Sequence, residues 1–201
     1  MRKFSLLRVL AIAVTIAPTV VFAHTGASEA HDFRHGFSHP IAGLDHVLAM
    51  IAVGVIAAQL GGRALWAVPA SFVVMMAIAG ACGMTGLALP YTEFGIALSL
   101  MVLGAVIAFN VKLPMAMATA LIALFAVFHG YAHAIEMPDN LSGIAFGAGF
   151  ILATSMLHGI GVGLGLGVKR VGPERGRPLA QTCGGAIALV GLAGLAGSFI
   201  G

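Results

Sequence analysis

The sequence predicts an all-α membrane protein, a bundle of six transmembrane helices that follows a cleaved signal peptide. Its composition is the first observation: 60% of the residues are hydrophobic, 8% are charged and the mean hydropathy is +1.04, whereas soluble domains carry about 25% charged residues. The second is a series of six apolar segments, each near the roughly 20 residues that cross a bilayer. The basic residues form no aromatic-lined patch, so we expect the lipid bilayer and not a nucleic acid as partner.

The segment before the first span divides into two parts. Residues 1–23 have basic residues, then an apolar run, then Val21-Phe22-Ala23, which is the pattern of a cleaved secretory signal peptide; an uncleaved first helix is the alternative. Residues 24–38 are polar and hold His24, Glu29, His31, Asp32 and His35. Short histidine-rich tracts can collect metal ions, so we predict a periplasmic segment that is either a capture arm or a solvated linker. Cleavage would leave His24 as the N-terminal residue, where its α-amino group and imidazole can chelate a metal ion together; a disordered tail residue is the alternative.

The transmembrane domain is predicted to cover residues 39–201. Pro40 suits the first turn of a helix, where its missing N–H costs nothing, and Gly61 ends that helix after one span. The six predicted spans are 40–60, 64–89, 92–111, 114–135, 141–168 and 179–200. The last two are rich in glycine at intervals of four residues, which lets helices approach closely. Packing within the bundle explains these glycines best, and a homo-oligomer built on them is the second interpretation.

Charged residues in the loops predict the orientation of the bundle. The loops alternate between basic and acidic, and the basic residues are Arg63, Lys112, Lys169, Arg170, Arg175 and Arg177. The positive-inside rule places these loops in the cytoplasm. Both termini then lie outside, as the cleaved signal peptide also requires, and the protein is predicted to be a multi-pass protein of a bacterial inner (plasma) membrane.

A few ionisable residues lie inside the apolar spans, where a charge costs roughly 2.5–3.5 kcal/mol on insertion scales. Asp45 and His46 are expected one to two turns inside the first span. His129 and His133 lie four residues apart on one face of the fourth span. His158 is deeper, about 17 residues into the fifth span, or roughly 25 Å. Such residues usually mark an ion path or an interior partner.

These side chains suit a divalent metal ion, because imidazole binds Ni, Zn, Cu and Fe and carboxylate binds harder ions. A histidine pair on one helix with Asp45 and His46 on a facing helix can supply three or four ligands. Asp45 can instead hold an imidazole in one tautomer through its N–H. These residues indicate a metal or proton site, and a buried polar network that fixes helix packing is the alternative.

Three motifs resemble those of the HupE/UreJ family, and the resemblance covers essentially the whole chain. They are His39-Pro40-x-x-Gly43-x-Asp45-His46, Phe128-His129-Gly130-x-Ala132-His133-x-x-Glu136, and Leu157-His158 with Gly161. Ala134 departs from the pattern, where glycine is expected. The resemblance implies a secondary permease for nickel, sometimes cobalt, that supplies the metal centres of hydrogenase and urease.

We therefore interpret the chain as a Ni²⁺ permease and not an enzyme, with Co²⁺ or Zn²⁺ as alternative ions. His24 or His39 would capture the ion and Glu136 would lie at the entrance. The predicted binding residues are Asp45, His46, His129 and His133, with His158 on the deeper path. The chain contains no GxxxxGK[ST] motif, so transport is expected without ATP. Two alternatives remain: an intramembrane zinc hydrolase that uses the same cluster with Ser155, and a channel for a small solute.

Overall fold

The computed structural model describes residues 33–134 and 141–198, and this part of the chain forms seven α-helices without a strand. They are α1 (Phe33–Ala42), α2 (Leu44–Leu60), α3 (Ala64–Met84), α4 (Thr92–Ala108), α5 (Met115–Ala134), α6 (Leu141–Arg170) and α7 (Pro173–Gly197). The all-α prediction is therefore confirmed. The predicted signal peptide, residues 1–23, lies outside the described residues.

Four of these helices, α3, α5, α6 and α7, are long and apolar enough to cross a membrane. The pair α1 and α2 passes the same criterion as one broken span, and α4 is an apolar helix of 17 residues. These helices fit a multi-pass membrane protein. The six-span count and the orientation of the termini stay predictions.

The first predicted span, 40–60, is instead a bent pair of helices. Their axes meet at 84°, and Gly43 at the junction has an extended backbone with φ −91° and ψ 118°. Pro40 lies near the end of α1 and not at the start of the span, because the helix already begins at Phe33, within the segment predicted to be periplasmic. Asp45 and His46 consequently lie in the first turn of α2, and not one to two turns below its start.

The last helix begins earlier than predicted. We expected a start near residue 179, but α7 begins at Pro173, because proline is well suited to the first helical position. Arg175 and Arg177 therefore lie in the first turns of α7 and not in a loop. These two residues still follow closely in the chain after Lys169 and Arg170, which end α6.

Helix pairing gives the bundle two chemically different ends. The closest pairs are α2 with α6, α3 with α5, and α4 with α7. Lys169 at the end of α6 donates a hydrogen bond to the carbonyl oxygen of Gln59 at the end of α2, with an N···O distance of 3.2 Å, so these two helices run parallel. We call this the basic end and the opposite one, where α1 lies, the α1 end.

Helix α1 lies directly on α6, backbone against backbone. A Cβ atom added at Gly36 would meet the carbonyl oxygen of Phe146, and one added at Gly149 would meet the carbonyl oxygen of Phe33. Only glycine leaves room for this approach, as is usual between closely packed membrane helices. The histidines of α1 are thereby held at a fixed place beside α6.

Candidate metal-binding site

Asp45 and His46 form a pair in the first turn of α2. Nδ1 of His46 lies 3.1 Å from Oδ1 of Asp45, and His46 donates this hydrogen bond because a carboxylate only accepts. In the neutral ring Nε2 then carries the lone pair. His46 is 8% exposed and Asp45 is partly exposed. Asp45 therefore orients a buried imidazole, which is the second of the two roles that its sequence position allowed.

His129 on α5 is fully buried and has its tautomer fixed by the backbone. Its Nδ1 lies 3.1 Å from the carbonyl oxygen of Phe125, an atom that can only accept, so Nδ1 carries the hydrogen. Nε2 is left with its lone pair, and within the described part of the chain it has no hydrogen-bond partner. A buried acceptor without a partner is costly, and this state of the ring is the one that binds metal ions.

His133 connects α5 to the Asp45–His46 pair on α2. Its Nε2 atom lies 2.7 Å from Nε2 of His46, and the two rings are 4.5 Å apart between centroids. Since Nε2 of His46 carries a lone pair, His133 donates this hydrogen bond. The centroid of His129 lies 5.1 Å from that of His46, so α2 and α5 place three imidazoles side by side.

A fourth ring joins from α1. The centroid of His39 lies 4.8 Å from that of His133 and 5.7 Å from that of Phe146 on α6. Phe150, one turn further along α6, packs 4.4 Å from His133. We call His39, His46, His129 and His133 the imidazole cluster. It lies toward the α1 end and is enclosed by aromatic rings.

His158 lies apart from the imidazole cluster, with Phe72 between them. The Phe72 ring centroid is 5.4 Å from that of His129 and 5.1 Å from that of His158, both in edge contacts. Phe72 is fully buried and His158 is 1% exposed. Neither ring nitrogen of His158 has a hydrogen-bond partner among the described residues. The structure therefore contains a second buried imidazole, behind an aromatic side chain.

Among the residues predicted to bind metal, the structure brings together the four of the imidazole cluster and attaches Asp45 to it, while it separates His158. His24 and Glu136 lie outside the described residues. Within residues 33–134 and 141–198, no three His, Cys, Asp or Glu side chains are placed to hold one ion. The 2.7 Å distance between His46 and His133 is shorter than the roughly 3.4 Å between two nitrogens bound about 2.1 Å from one tetrahedral ion.

Sequence reasoning missed Phe72 and the pairing of His35 with His39. Phe72 is one phenylalanine among twelve, and nothing in its local pattern distinguishes it from a packing residue. The sequence places His35 in a histidine-rich segment that is either a capture arm or a solvated linker, and it does not pair this residue with His39, although a spacing of four residues is that of neighbours on one helix face. The spacing of four residues indicates a shared face only when residues 33–42 are known to form a helix.

Ser155, the nucleophile of the hydrolase alternative, points away from the histidines. It is exposed on α6, and its hydroxyl donates to the carbonyl oxygen of Ile151 at 2.7 Å. His158 and Thr154 on the same helix are buried. No described contact joins Ser155 to an imidazole, so this observation gives the hydrolase reading no support.

Fold and site together define a class: an all-helical, multi-pass membrane protein with a buried cluster of imidazoles. The comparisons with known proteins give the family. Residues 12–194 match the model of the HupE / UreJ protein family, and the chain is 43% identical over 186 residues to Protein HupE of Rhizobium leguminosarum bv. viciae, covering 92% of this chain and 95% of that one. The chain belongs to the HupE/UreJ family. No solved structure matches it.

Proposed function

We propose that the protein is a secondary permease that carries divalent nickel across the bacterial inner membrane. The HupE/UreJ family is associated with the nickel accessory functions of hydrogenase and urease. The observation that carries the proposal is the imidazole cluster, in which three buried rings from α2 and α5 meet the partly buried ring of His39 from α1. Nitrogen ligands of this kind suit nickel, and cobalt or zinc are the alternative ions.

The proposed binding residues are His46, His129 and His133. Asp45 and the carbonyl of Phe125 orient two of these rings so that a lone pair on Nε2 faces the cluster. His133 differs, because its Nε2 hydrogen is directed at His46. An ion that binds here must displace this hydrogen to the other ring nitrogen and widen the gap between the two rings by roughly 0.7 Å.

An ion that binds at the imidazole cluster must break a hydrogen bond inside the protein, because the two closest nitrogens, Nε2 of His46 and Nε2 of His133, are bonded to each other. The ion therefore competes with a protein–protein hydrogen bond, which lowers its affinity and favours its release.

His158 offers a second binding position toward the basic end. Its buried nitrogens lack hydrogen-bond partners in the described part of the chain, so a metal ion there would satisfy groups that are otherwise costly to bury. Phe72 fills the space between His158 and His129. We infer that the ion passes Phe72 on its way from the imidazole cluster to His158.

The proposed orientation of the bundle in the membrane follows from the placement of charge. Lys169 and the other basic residues near it lie at the end of the bundle opposite to α1. The positive-inside rule then puts the basic end in the cytoplasm and the imidazole cluster near the outer face. His24, as a capture residue, and Glu136, at the entrance, belong to this proposal through their sequence positions alone.

Uptake of radioactive nickel by cells that express the protein tests this proposal. We expect uptake well above that of empty-vector cells, and its loss in the variant His129→Ala/His133→Ala. Ser155→Ala is the matched control, since that side chain is exposed and its hydroxyl bonds to the carbonyl oxygen of Ile151 in its own helix, and it should transport normally. Equal membrane levels of all variants must be verified. Wild-type uptake no higher than that of the empty vector would refute the nickel proposal.

A further inference from the structure

A second pair of imidazoles lies outside the imidazole cluster, on α1. His35 is exposed and His39, four residues later, is partly buried. Their ring centroids are 5.8 Å apart. Both rings also contact Phe146 of α6, each at 5.7 Å. The two side chains therefore lie on the same side of α1, and one of them is accessible to solvent.

This pair is held on a fixed backbone. Gly36, between the two histidines, lets α1 approach the carbonyl oxygen of Phe146, and Gly149 lets α6 approach that of Phe33. Since the helix and its contact with α6 already exist, a ligand that binds both rings orders only two side chains. Binding to a preorganised pair loses little conformational entropy.

We propose that His35 and His39 form a capture site of two imidazoles for a divalent metal ion, and that His39 passes the ion on to His133. This inference rests on the proposed function for its direction but not for the binding itself. When two imidazoles bind one ion through nitrogens about 2.1 Å from it, the centroids of the two rings lie roughly 4.5–6.3 Å apart. The distance between the ring centroids of His35 and His39, 5.8 Å, falls in this range. Each neutral ring that binds replaces one water molecule of the hydrated ion.

The same spacing continues into the cluster in overlapping pairs. The centroid distances are 5.8 Å for His35 and His39, 4.8 Å for His39 and His133, 4.5 Å for His133 and His46, and 5.1 Å for His46 and His129. Each inner ring belongs to two successive pairs. An ion can therefore move inward by exchanging one imidazole at a time, without returning to a fully hydrated state.

Metal binding by the pair can be measured on the purified full chain in lipid nanodiscs, prepared with a tag that contains no histidine. Cu²⁺ is the probe, read by electron paramagnetic resonance. The background variant replaces the six histidines outside the pair by alanine, namely His24, His31, His46, His129, His133 and His158. We expect one Cu²⁺ bound by two imidazole nitrogens, and an affinity at least about tenfold lower after His35→Ala, since a linked second ligand acts at high effective concentration.

A second variant, which we call the register variant, tests whether binding depends on the spacing of the two histidines or only on their number. The change His35→Ala/Ser38→His keeps two imidazoles on α1 but places them at adjacent positions, which do not face each other on a helix. Ser38→Ala alone is the control for the site of substitution. The register variant should bind as weakly as His35→Ala. Equal affinity in the background protein, His35→Ala and the register variant would overturn the proposal.

Nickel uptake by otherwise unchanged protein gives a second test that does not need the multiple variant to fold. His35→Ala should raise the KM for nickel about three- to tenfold and leave the maximal rate unchanged, while Ser38→Ala has no effect. An unchanged KM in His35→Ala overturns the capture site while the permease stands. Absence of uptake by the wild type refutes the proposal that the protein is a nickel permease. In that case the Cu²⁺ binding experiment alone tests the capture site.

Discussion

Nε2 of His46 lies 2.7 Å from Nε2 of His133, although 87 residues separate the two in the chain. The hydrogen bond between them joins α2 to α5 at the centre of the imidazole cluster. It also occupies the two nitrogens that a metal ion would need. We propose that metal binding breaks this hydrogen bond. The hydrogen then moves to the other ring nitrogen of His133, and the ion lies between the two Nε2 atoms.

Asp45→Asn should weaken nickel binding without abolishing it. The carboxylate accepts from Nδ1 of His46, so its loss leaves the imidazole in place but less firmly oriented and less basic. Removing a group of this kind typically costs 10- to 100-fold in metal affinity. Isothermal titration of purified protein measures the change, beside His46→Ala as the variant that lacks the ligand itself. If Asp45→Asn binds as poorly as His46→Ala, the carboxylate is a direct ligand.

His158→Ala should separate binding from transport. His158 is not in contact with the imidazole cluster, and Phe72 lies between them, so nickel affinity at the cluster is expected to stay within about twofold, as for independent sites. Uptake should fall at least tenfold, because the ion loses its inner binding position. Binding is measured by titration and transport by the maximal uptake rate. Normal uptake in this variant would remove His158 from the path.

Uptake should decrease as the external pH is lowered, because protons compete with the metal ion for the imidazole nitrogens. Only the neutral ring has a lone pair for the metal, and a protonated ring repels the cation, so binding is lost on the acid side. Initial rates at constant nickel concentration, measured between about pH 5 and pH 8 with protein levels checked at each point, give the profile. A flat profile over this range would contradict the competition between protons and the metal ion.

Adding a side chain at the close contact between α2 and α6 should destabilise the fold. A Cβ atom at Gly54 would meet the carbonyl oxygen of His158 and the backbone of Val162, so Gly54→Ala is expected to destabilise the bundle by about 1–3 kcal/mol. Gly163→Ala is the matched control on α6, where no described heavy atom lies within 4 Å of the new Cβ. Thermal unfolding in detergent compares them. Equal midpoints would show that the contact is not tight.

Much of the fold could be read from the sequence, because long apolar segments with charged ends leave few alternatives to membrane helices. The starts of α3, α4 and α5 lie at or within one residue of the predicted starts, at Ala64, Thr92 and Met115. The break at Gly43 was not predicted, since glycine, proline and apolar neighbours also occur inside continuous spans. Its position depends on the backbone contact between α1 and α6, which joins residues more than 100 positions apart.

The candidate site was predictable to the extent that ionisable residues are rare in these helices. A charge inside a membrane is costly, and for this reason the sequence indicates His46, His129 and His133 as candidate site residues. The structure brings these three residues together. The role of Asp45 was left open, because the sequence does not say which atom its carboxylate faces. Phe72 could not be found at all, since its importance lies in its two histidine neighbours and not in its own chemistry.

X-ray absorption spectroscopy of the nickel-loaded, purified protein tests the central claim most directly, because it reports the atoms bound to the metal. Our account predicts two or three imidazole nitrogens about 2.0–2.1 Å from the ion, and fewer of them in the variants His46→Ala and His133→Ala. A first shell made only of water and carboxylate oxygens, unchanged in both variants, would contradict it.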